Sequence, residues 1–435
     1  MAMATSNAST NTTTAPGSGQ SYGAALAVVT TLFFMWGFLT CLNDILVPHL
    51  KSIFDLTYAE VMLIQFAFFG SYFLFSIPSA KLIDWIGYQK SMVVGLLTMG
   101  LGAFLFVPAA SVPSFPLFLG ALIVLAAGIT CLQVAANPYV TVLGKPETAS
   151  SRLNLTQAFN SLGTFLAPFF GGMLILSAAP KTMDQIRAMT PDVLQAYRVH
   201  EAATVKTPYV GLGIALVLLA VAIGSFKLPT IAHAQHKVGE KVNDSIWRHP
   251  NLIFGALAIF VYVGGEVSIG SFLVNYFGQP EIGGLTEKVA ASYVAFYWGG
   301  AMVGRFIGSG LLQKMSTRQL LGICAVCAGA LVAISMLTTG PTAMYSIILV
   351  GFFNSIMFPS IFTLGVAELG PLTGDGSGVM IMAIVGGAIL PVAQGAIADR
   401  IGIHHAFFLP VLCYLYILFF ALNGSKPNSE RYAKA

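Results

Sequence analysis

Twelve apolar stretches, each about 20 residues long and set apart by polar segments, run from Tyr22 to Leu422 of this 435-residue chain. Runs such as Leu117–Ile129, Leu212–Ile223 and Tyr345–Phe353 hold no charged residue. A membrane-spanning helix needs about 20 apolar residues, and in lipid every backbone donor and acceptor must be satisfied within its own segment. Transmembrane barrels instead alternate apolar and polar residues over segments of about ten, a pattern these runs lack. The chain reads as an all-α integral membrane bundle.

Composition agrees. Charged residues make up 9% and hydrophobic ones 56%, with a mean hydropathy of +0.80, whereas a soluble domain carries about 25% charged residues. This excludes a soluble enzyme, a disordered protein, a disulfide-stapled secreted domain and a nucleic-acid binder; the net charge of +4 implies no nucleic-acid partner. Cys41, Cys131, Cys324, Cys327 and Cys413 all fall in apolar runs and read as small packing residues. Residues 1–20 are uncharged and rich in Ser, Thr and Asn. They lack the basic start of a signal peptide and read as a disordered tail.

Spans one to six are expected near Tyr22–Pro48, Tyr58–Ile83, Ser91–Ala110, Phe115–Leu143, Leu153–Ser177 and Pro208–Phe226. Spans seven to twelve are expected near Asn251–Phe277, Lys288–Leu312, Gln319–Leu337, Thr342–Ala367, Gly376–Ala398 and His405–Leu422. The expected organisation is an N-terminal six-helix half (21–226), a linker (227–250), a C-terminal half (251–423) and a tail (424–435). Two helix pairs suggest that the halves are repeats. Gly163, Pro168 and Gly172 of span five echo Gly386, Pro391 and Gly395 of span eleven. Pro138 with Leu143-Gly144 echoes Pro359 with Leu364-Gly365 at nearly the same displacement. Parallel six-helix repeats of this kind place a substrate between the halves, near the midplane. With an even number of spans both termini share one side, and most of the 21 basic residues fall there or in the linker. The positive-inside rule makes that side cytoplasmic.

The turn after span two reads Ala80-Lys-Leu-Ile-Asp84-Trp-Ile-Gly87-Tyr-Gln-Lys90. It resembles the Gly-x3-Asp-x2-Gly-Arg-Lys loop of the major facilitator superfamily, with Ala80 in place of the first glycine. A degraded copy, Ser309-Gly-Leu-Leu-Gln-Lys-Met-Ser316, follows span eight. The resemblance implies the major facilitator fold, twelve transmembrane helices in two six-helix pseudo-repeats. Asp84, Gly87, Gly163, Pro168 and Arg305 form the expected conformational set.

Buried polar residues carry the functional signal. Asp44 lies inside span one and Glu266 inside span seven, at equivalent repeat positions. A mid-span charge costs about 2.5–3.5 kcal/mol and commonly faces a cavity. Gln133 and Asn137 share a face of span four, and Asn154, Gln157 and Asn160 run down span five. Asn275 sits in span seven, and Asn354 in span ten stands at the repeat position of Gln133. An amide both donates and accepts, as a sugar hydroxyl does. Trp36, Phe159, Tyr262, Phe296 and Trp298 offer rings for the apolar face of a pyranose.

Leu42-Asn-Asp-Ile-Leu46, Gly128-Ile-Thr-Cys-Leu-Gln-Val-Ala-Ala-Asn-Pro-Tyr-Val-Thr-Val-Leu-Gly144 and Leu153-Asn-Leu-Thr-Gln-Ala-Phe-Asn-Ser161 resemble the fucose:proton symporter family. So do Tyr262-Val-Gly-Gly-Glu266 and Phe358-Pro-Ser-Ile-Phe-Thr-Leu-Gly365. The resemblance implies inward transport of L-fucose, glucose or galactose with a coupling cation. Asp44 matches the family aspartate, and Gln157 and Asn160 match its sugar-contacting pair. Gln133 stands where fucose permeases have a glutamate and Glu266 where they have a glutamine; this pattern resembles the glucose/galactose branch. The expected substrate set is Asn43, Gln133, Asn137, Gln157, Asn160, Glu266, Asn275 and Asn354, with Asp44 binding Na+ or H+. Loss of the glutamate on span four removes a proton carrier and favours Na+. No cofactor is expected, and a monomer in a bacterial inner membrane is. A drug/proton antiporter shares the fold but has no need of so many buried amides. An enzyme finds no support: Gly374-Asp-Gly376 lacks a partner aspartate in a matching span, and the adjacent His404 and His405 make a poor metal pair.

Overall fold

A computed structural model of the chain describes residues 22–54, 58–112, 114–174, 189–204, 206–231 and 244–429. For 39–40, 42–54, 58–62, 168–174, 195, 198 and 201–204 it describes the backbone alone. The apolar stretches are helices, and among the described residues there is no strand. Span one is Tyr22–Phe54, and spans two and three are the two arms of Tyr58–Ser111. Spans four to six are Phe115–Val142, Ala149–Leu174 and Lys206–Ser225. Spans seven to nine are Pro250–Gly278, Glu287–Leu311 and Thr317–Leu337. Spans ten, eleven and twelve occupy Gly340–Gly365, Gly370–Ile401 and Ile403–Gly424. Spans five and eight are more polar than their neighbours. They carry Arg152, Asn154, Gln157 and Asn160, and Glu287, Lys288 and Arg305, respectively.

Three features differ from the sequence expectation. The turn between spans two and three is one residue, Gly87, at φ 83° and ψ 167°. Cys131 on span four bonds both Ser79 and the Ser91 carbonyl, residues on either side of Gly87, so the chain doubles back there. Only glycine enters that backbone region without steric cost. The stretch between spans five and six, expected as plain loop, contains a helix at Pro191–Thr204 with Asp192 in its first turn. Spans ten and eleven are broken rather than continuous. Span ten divides into Gly340–Asn354 and Met357–Gly365, and span eleven into Thr373–Met382 and Gly386–Ile401. Pro359 lacks an N–H and its ring crowds the carbonyl of Ser355, which explains the break in span ten.

The repeat seen in sequence is a packing repeat. A Cβ on Gly163 of span five would strike the Phe34 carbonyl of span one; a Cβ on Gly386 of span eleven would strike the Phe260 carbonyl of span seven. Glycine at these places lets backbones meet directly, the usual device where lipid gives no hydrophobic drive between helices. The ends of spans four and ten are also closed in parallel. Arg152 donates to the carbonyls of Val140, Thr141 and Lys145. Asn251 Nδ2 shares its two N–H groups among those of Leu364, Gly365 and Ala367, at 3.2, 3.1 and 3.0 Å. Both satisfy acceptors that a helix end leaves open.

Just before span seven, Asp244 Oδ2 lies 2.7 Å from His249 Nε2. The His249 hydrogen bond, aided by the Ser245 N–H, holds the Asp244 carboxyl below its usual range. This clamp therefore acts above about pH 4 and is lost only as pH falls through the lowered value. All five cysteines are free.

Gly163→Ala and Gly386→Ala should each destabilise the protein by about 1–3 kcal/mol through forced backbone separation. Gly70→Ala, where a Cβ meets nothing within 4 Å, should be neutral or mildly stabilising. Unfolding midpoints in detergent check the contrast.

Candidate functional site

The two halves meet along a seam between spans two and eleven on one side and spans five and eight on the other. Contact is concentrated at the end of the bundle that carries the central linker. Ser151 Oγ donates to the Ser309 carbonyl at 2.7 Å, and Asn154 Nδ2 to the Arg305 carbonyl at 2.7 Å. Thr317 Oγ1 lies 2.9 Å from Ser150 Oγ. Across spans two and eleven, a Cβ on Gly378 would come within 2.8 Å of the Ala80 side chain. At the opposite end a cavity of about 530 Å³ separates Gln65 and Phe66 of span two from Asn275 of span seven and Pro391 and Asp399 of span eleven. The seam is shut at the linker end and open at the other.

Two prolines at repeat-equivalent positions prepare the middle of the seam. A proline leaves the carbonyl four residues earlier without its helical donor. Pro138 releases the Val134 carbonyl, which accepts Ser377 Oγ from the other half at 2.9 Å. Pro359 releases the Ser355 carbonyl, which accepts Arg305 Nε at 3.2 Å. The same guanidinium donates through Nη1 to Ser161 of span five. Arg305 thus ties span eight to span ten and, across the seam, to span five. Its planar fork presents Nε and Nη1 to two partners in fixed geometry.

On the C-terminal side, Glu266 and Asn354 sit in a nest of tyrosines. The Tyr262 hydroxyl lies 2.8 Å from Glu266 Oε1 and 3.1 Å from the Asn354 carbonyl. Asn354 Nδ2 donates to the Tyr297 hydroxyl at 2.8 Å, and the Tyr414 hydroxyl donates to Asn354 Oδ1 at 2.7 Å. Asn354 is fully buried with both amide atoms engaged. Arg305 is close enough to Glu266 for their charges to attract.

The N-terminal side repeats part of this plan. Gln133 Nε2 donates to the Tyr72 hydroxyl at 2.7 Å, as Asn354 does to Tyr297. Gln157 Nε2 donates to Asn137 Oδ1 at 3.4 Å, and Asn160 Nδ2 to the Phe33 carbonyl at 2.9 Å. One difference matters. Gln133 Oε1 and Asn137 Nδ2 are buried, and neither has a hydrogen-bond partner among the described residues. An unpaired buried group costs about 1–3 kcal/mol, and here an acceptor and a donor of that kind stand one turn apart on span four.

Asn137 and Gln157 on one side are linked through Ser161, Arg305 and the Ser355 carbonyl to the chain beside Asn354 and Glu266 on the other, with Gln133 one turn from Asn137 and Asn160 next to Ser161. Asn275 is not among them. It lies nine residues beyond Glu266, about 13 Å along the helix, and lines the open cavity. The side chains of Asn43, Asp44 and Pro168 lie outside the described residues. Asp84 Oδ1 would stand 3.8 Å from a Cβ on Gly374, at the first turn of span eleven. Phe296 and Trp298 are exposed, and Tyr297 between them is the ring that enters the cluster. Tyr72, Tyr297, Tyr414 and Ser161 belong to the site as well. In sequence they were indistinguishable from other tyrosines and serines in apolar runs; for Tyr297 the one signal was its place between two ring residues.

A model described as Major Facilitator Superfamily matches residues 25–384. A glucose/galactose transporter of Brucella abortus is 53% identical over 94% of this chain and 96% of its own length. A crystal structure of the Escherichia coli fucose:proton symporter superposes with TM-score 0.87 at 35% identity, covering 94% of this chain and all of that one. A second crystal structure of that name, in the outward conformation, gives TM-score 0.86.

Asn354→Leu leaves the Tyr297 and Tyr414 hydroxyls short of partners and should cost about 1–3 kcal/mol for each. Ser292→Ala, on an exposed helix face, should change stability by less than about 0.5 kcal/mol. Denaturant or thermal unfolding of the two variants tests whether the tyrosine nest is held by this amide.

Proposed function

The chain belongs to the Major Facilitator Superfamily, and we propose that it imports a hexose of the glucose/galactose type by cation-coupled symport with alternating access. The observation that carries this reading is the buried pair Gln133 Oε1 and Asn137 Nδ2, without a partner among the described residues and near the amides of span five. A sugar hydroxyl can donate to the first, and a second hydroxyl or ring oxygen can accept from the other. Gln157, Asn160, Glu266 and Asn354 supply further contacts, with Asn43 in the same set. The name of the Brucella abortus relative supports glucose and galactose over other sugars.

Asp44 is the proposed coupling residue, binding Na+ in preference to H+. Coupling requires the cation to bind better in the state that also holds sugar, because equal affinity for both states shifts nothing. The proton reading has its own support in the fucose:proton symporter at 35% identity. What favours sodium is that Gln133, unlike a carboxylate, cannot release a proton.

The proposed setting is a monomer in a bacterial inner membrane with both termini and the linker 227–250 cytoplasmic. The proposed moving bodies are the halves 21–226 and 251–423, with tails at 1–20 and 424–435. On that orientation the shut linker end is the inner gate and the open end faces outward. Gly163 and Pro168 of span five allow the bending that the rocking of the halves requires.

Purified protein in liposomes, given a sodium gradient at equal pH on both sides, should accumulate D-glucose or D-galactose. Accumulation driven only by a pH gradient would remove sodium from the account. Uptake blocked by lipophilic cations and not by hexoses would instead favour a drug antiporter. Asp44→Asn should retain sugar exchange and lose accumulation; undiminished concentrative uptake in that variant would take the coupling role from Asp44.

A further inference from the structure

Two buried polar side chains stand level on two packed spans of the C-terminal half, with nothing to bond. Gln394 of span eleven is fully buried, and Ser268 of span seven is 1% exposed. Neither Gln394 Oε1 nor Nε2, nor Ser268 Oγ, has a hydrogen-bond partner among the described residues. The packing of the spans sets their level. A Cβ on Gly386 would strike the Phe260 carbonyl, and one on Gly264 would strike the Leu390 side chain. The two spans therefore run together in the same direction, and one turn on from Gly264 and Leu390 come Ser268 and Gln394.

The open-end cavity of about 530 Å³ lies against this pair. Val267 and Ser271, on either side of Ser268 in the chain, line it, and so do Pro391 and Gly395, on either side of Gln394. The unpaired groups thus lie just behind the cavity wall, and Gly387 and Gly395 bring no side chain there to screen them. Pro391 also leaves the Gly387 carbonyl without its helical donor. The rest of the lining suits the same chemistry. Gln65 of span two and Asn275 of span seven face the cavity from the two halves, and Phe66 and Phe272 offer rings. The volume fits one small ligand. Gln394 leaves a donor as well as an acceptor open, so the group that satisfies it both donates and accepts, a hydroxyl rather than a metal cation.

We propose that this cavity is a second binding subsite for a neutral hydroxylated ligand, separate from Gln133 and Asn137. Gln65 holds the ligand from the N-terminal half and Asn275 from the C-terminal half, and the Gln394 amide turns out of the wall to meet it. A ligand held by both halves at the open end draws that end together, so this is where sugar is first taken. The inference rests on the hexose reading above and adds an earlier stop on the path of the sugar. It also gives Asn275 a sugar contact away from the central set.

The test uses the full chain in liposomes with a reporter cysteine, Ser271→Cys, on the cavity lining. Its labelling by a membrane-impermeant maleimide is followed against D-glucose and D-galactose and corrected for the protein without the reporter. Hexose should slow the labelling. Gln65→Leu, Asn275→Leu and Gln394→Leu should each raise the half-protecting concentration about three- to tenfold, the size of one lost hydrogen bond. Gln133→Leu should leave it unchanged. The reverse pattern, a shift in Gln133→Leu and none in the other three, would show protection by closure around the inner amides and would overturn the subsite. Without sugar, Gln394→Leu should unfold no earlier than the native protein, since an apolar side chain removes buried unpaired groups. An earlier midpoint would show that the amide ties helices together and would remove it from the subsite. Protection without uptake of either hexose would sink hexose transport and leave the subsite standing. Uptake without protection would sink the subsite alone, and neither protection nor uptake would remove both.

Discussion

Lipid offers no hydrogen bonds, and every polar group inside this bundle is arranged under that constraint. Helices satisfy their own backbones except at their ends, so the acceptors left over inside a span are those that proline creates. Pro138 and Pro359 free the carbonyls of Val134 and Ser355 in the middle of the molecule, at repeat-equivalent places. Ser377 takes the first and Arg305 the second. Both donors also join different parts of the bundle, Ser377 directly across the seam and Arg305 by its second bond to Ser161. The residues that break the helices are thus the residues that give the halves something polar to hold.

The same constraint explains why the two sides of the site differ. Asn354 spends its whole amide on Tyr297 and Tyr414, and Tyr262 is committed to Glu266. That side is a rigid wall. Among the described residues, Gln133 spends only its nitrogen, on Tyr72, and Asn137 only its oxygen, on Gln157. The atoms left over are one acceptor and one donor. In a solvent that cannot satisfy them, they are the atoms on which the proposed sugar contacts rest.

Much of this was legible from sequence because burial cost leaves a mark. The Gly163 and Gly386 correspondence identified the repeat, and the structure puts both against a facing carbonyl. Gln133 and Asn354 stood out as amides in apolar runs and occupy equivalent positions beside tyrosines. The tyrosines themselves were not legible, because a tyrosine in a membrane helix has a common place at interfaces and its partner lies on another span. Asn275 was grouped with the central set because sequence gives depth poorly; nine residues of helix carry it into the cavity at the open end. The helix Pro191–Thr204 was hidden because it is too polar for an apolar-run search and too short to read as a span. Gly87 appeared within a loop motif, but that the whole turn is one residue followed only from its backbone angles.

The central claim is that the unpaired atoms of Gln133 and Asn137 belong to the sugar. Hexose-dependent thermal stabilisation of the native protein and of Gln133→Leu and Asn137→Leu measures this most directly, since ligand binding to the folded state raises stability in proportion to the logarithm of occupancy. The account predicts that D-glucose or D-galactose stabilises the native protein, and that each variant folds but needs about tenfold more sugar for the same shift. Equal stabilisation of native and variant proteins by the same sugar would contradict it.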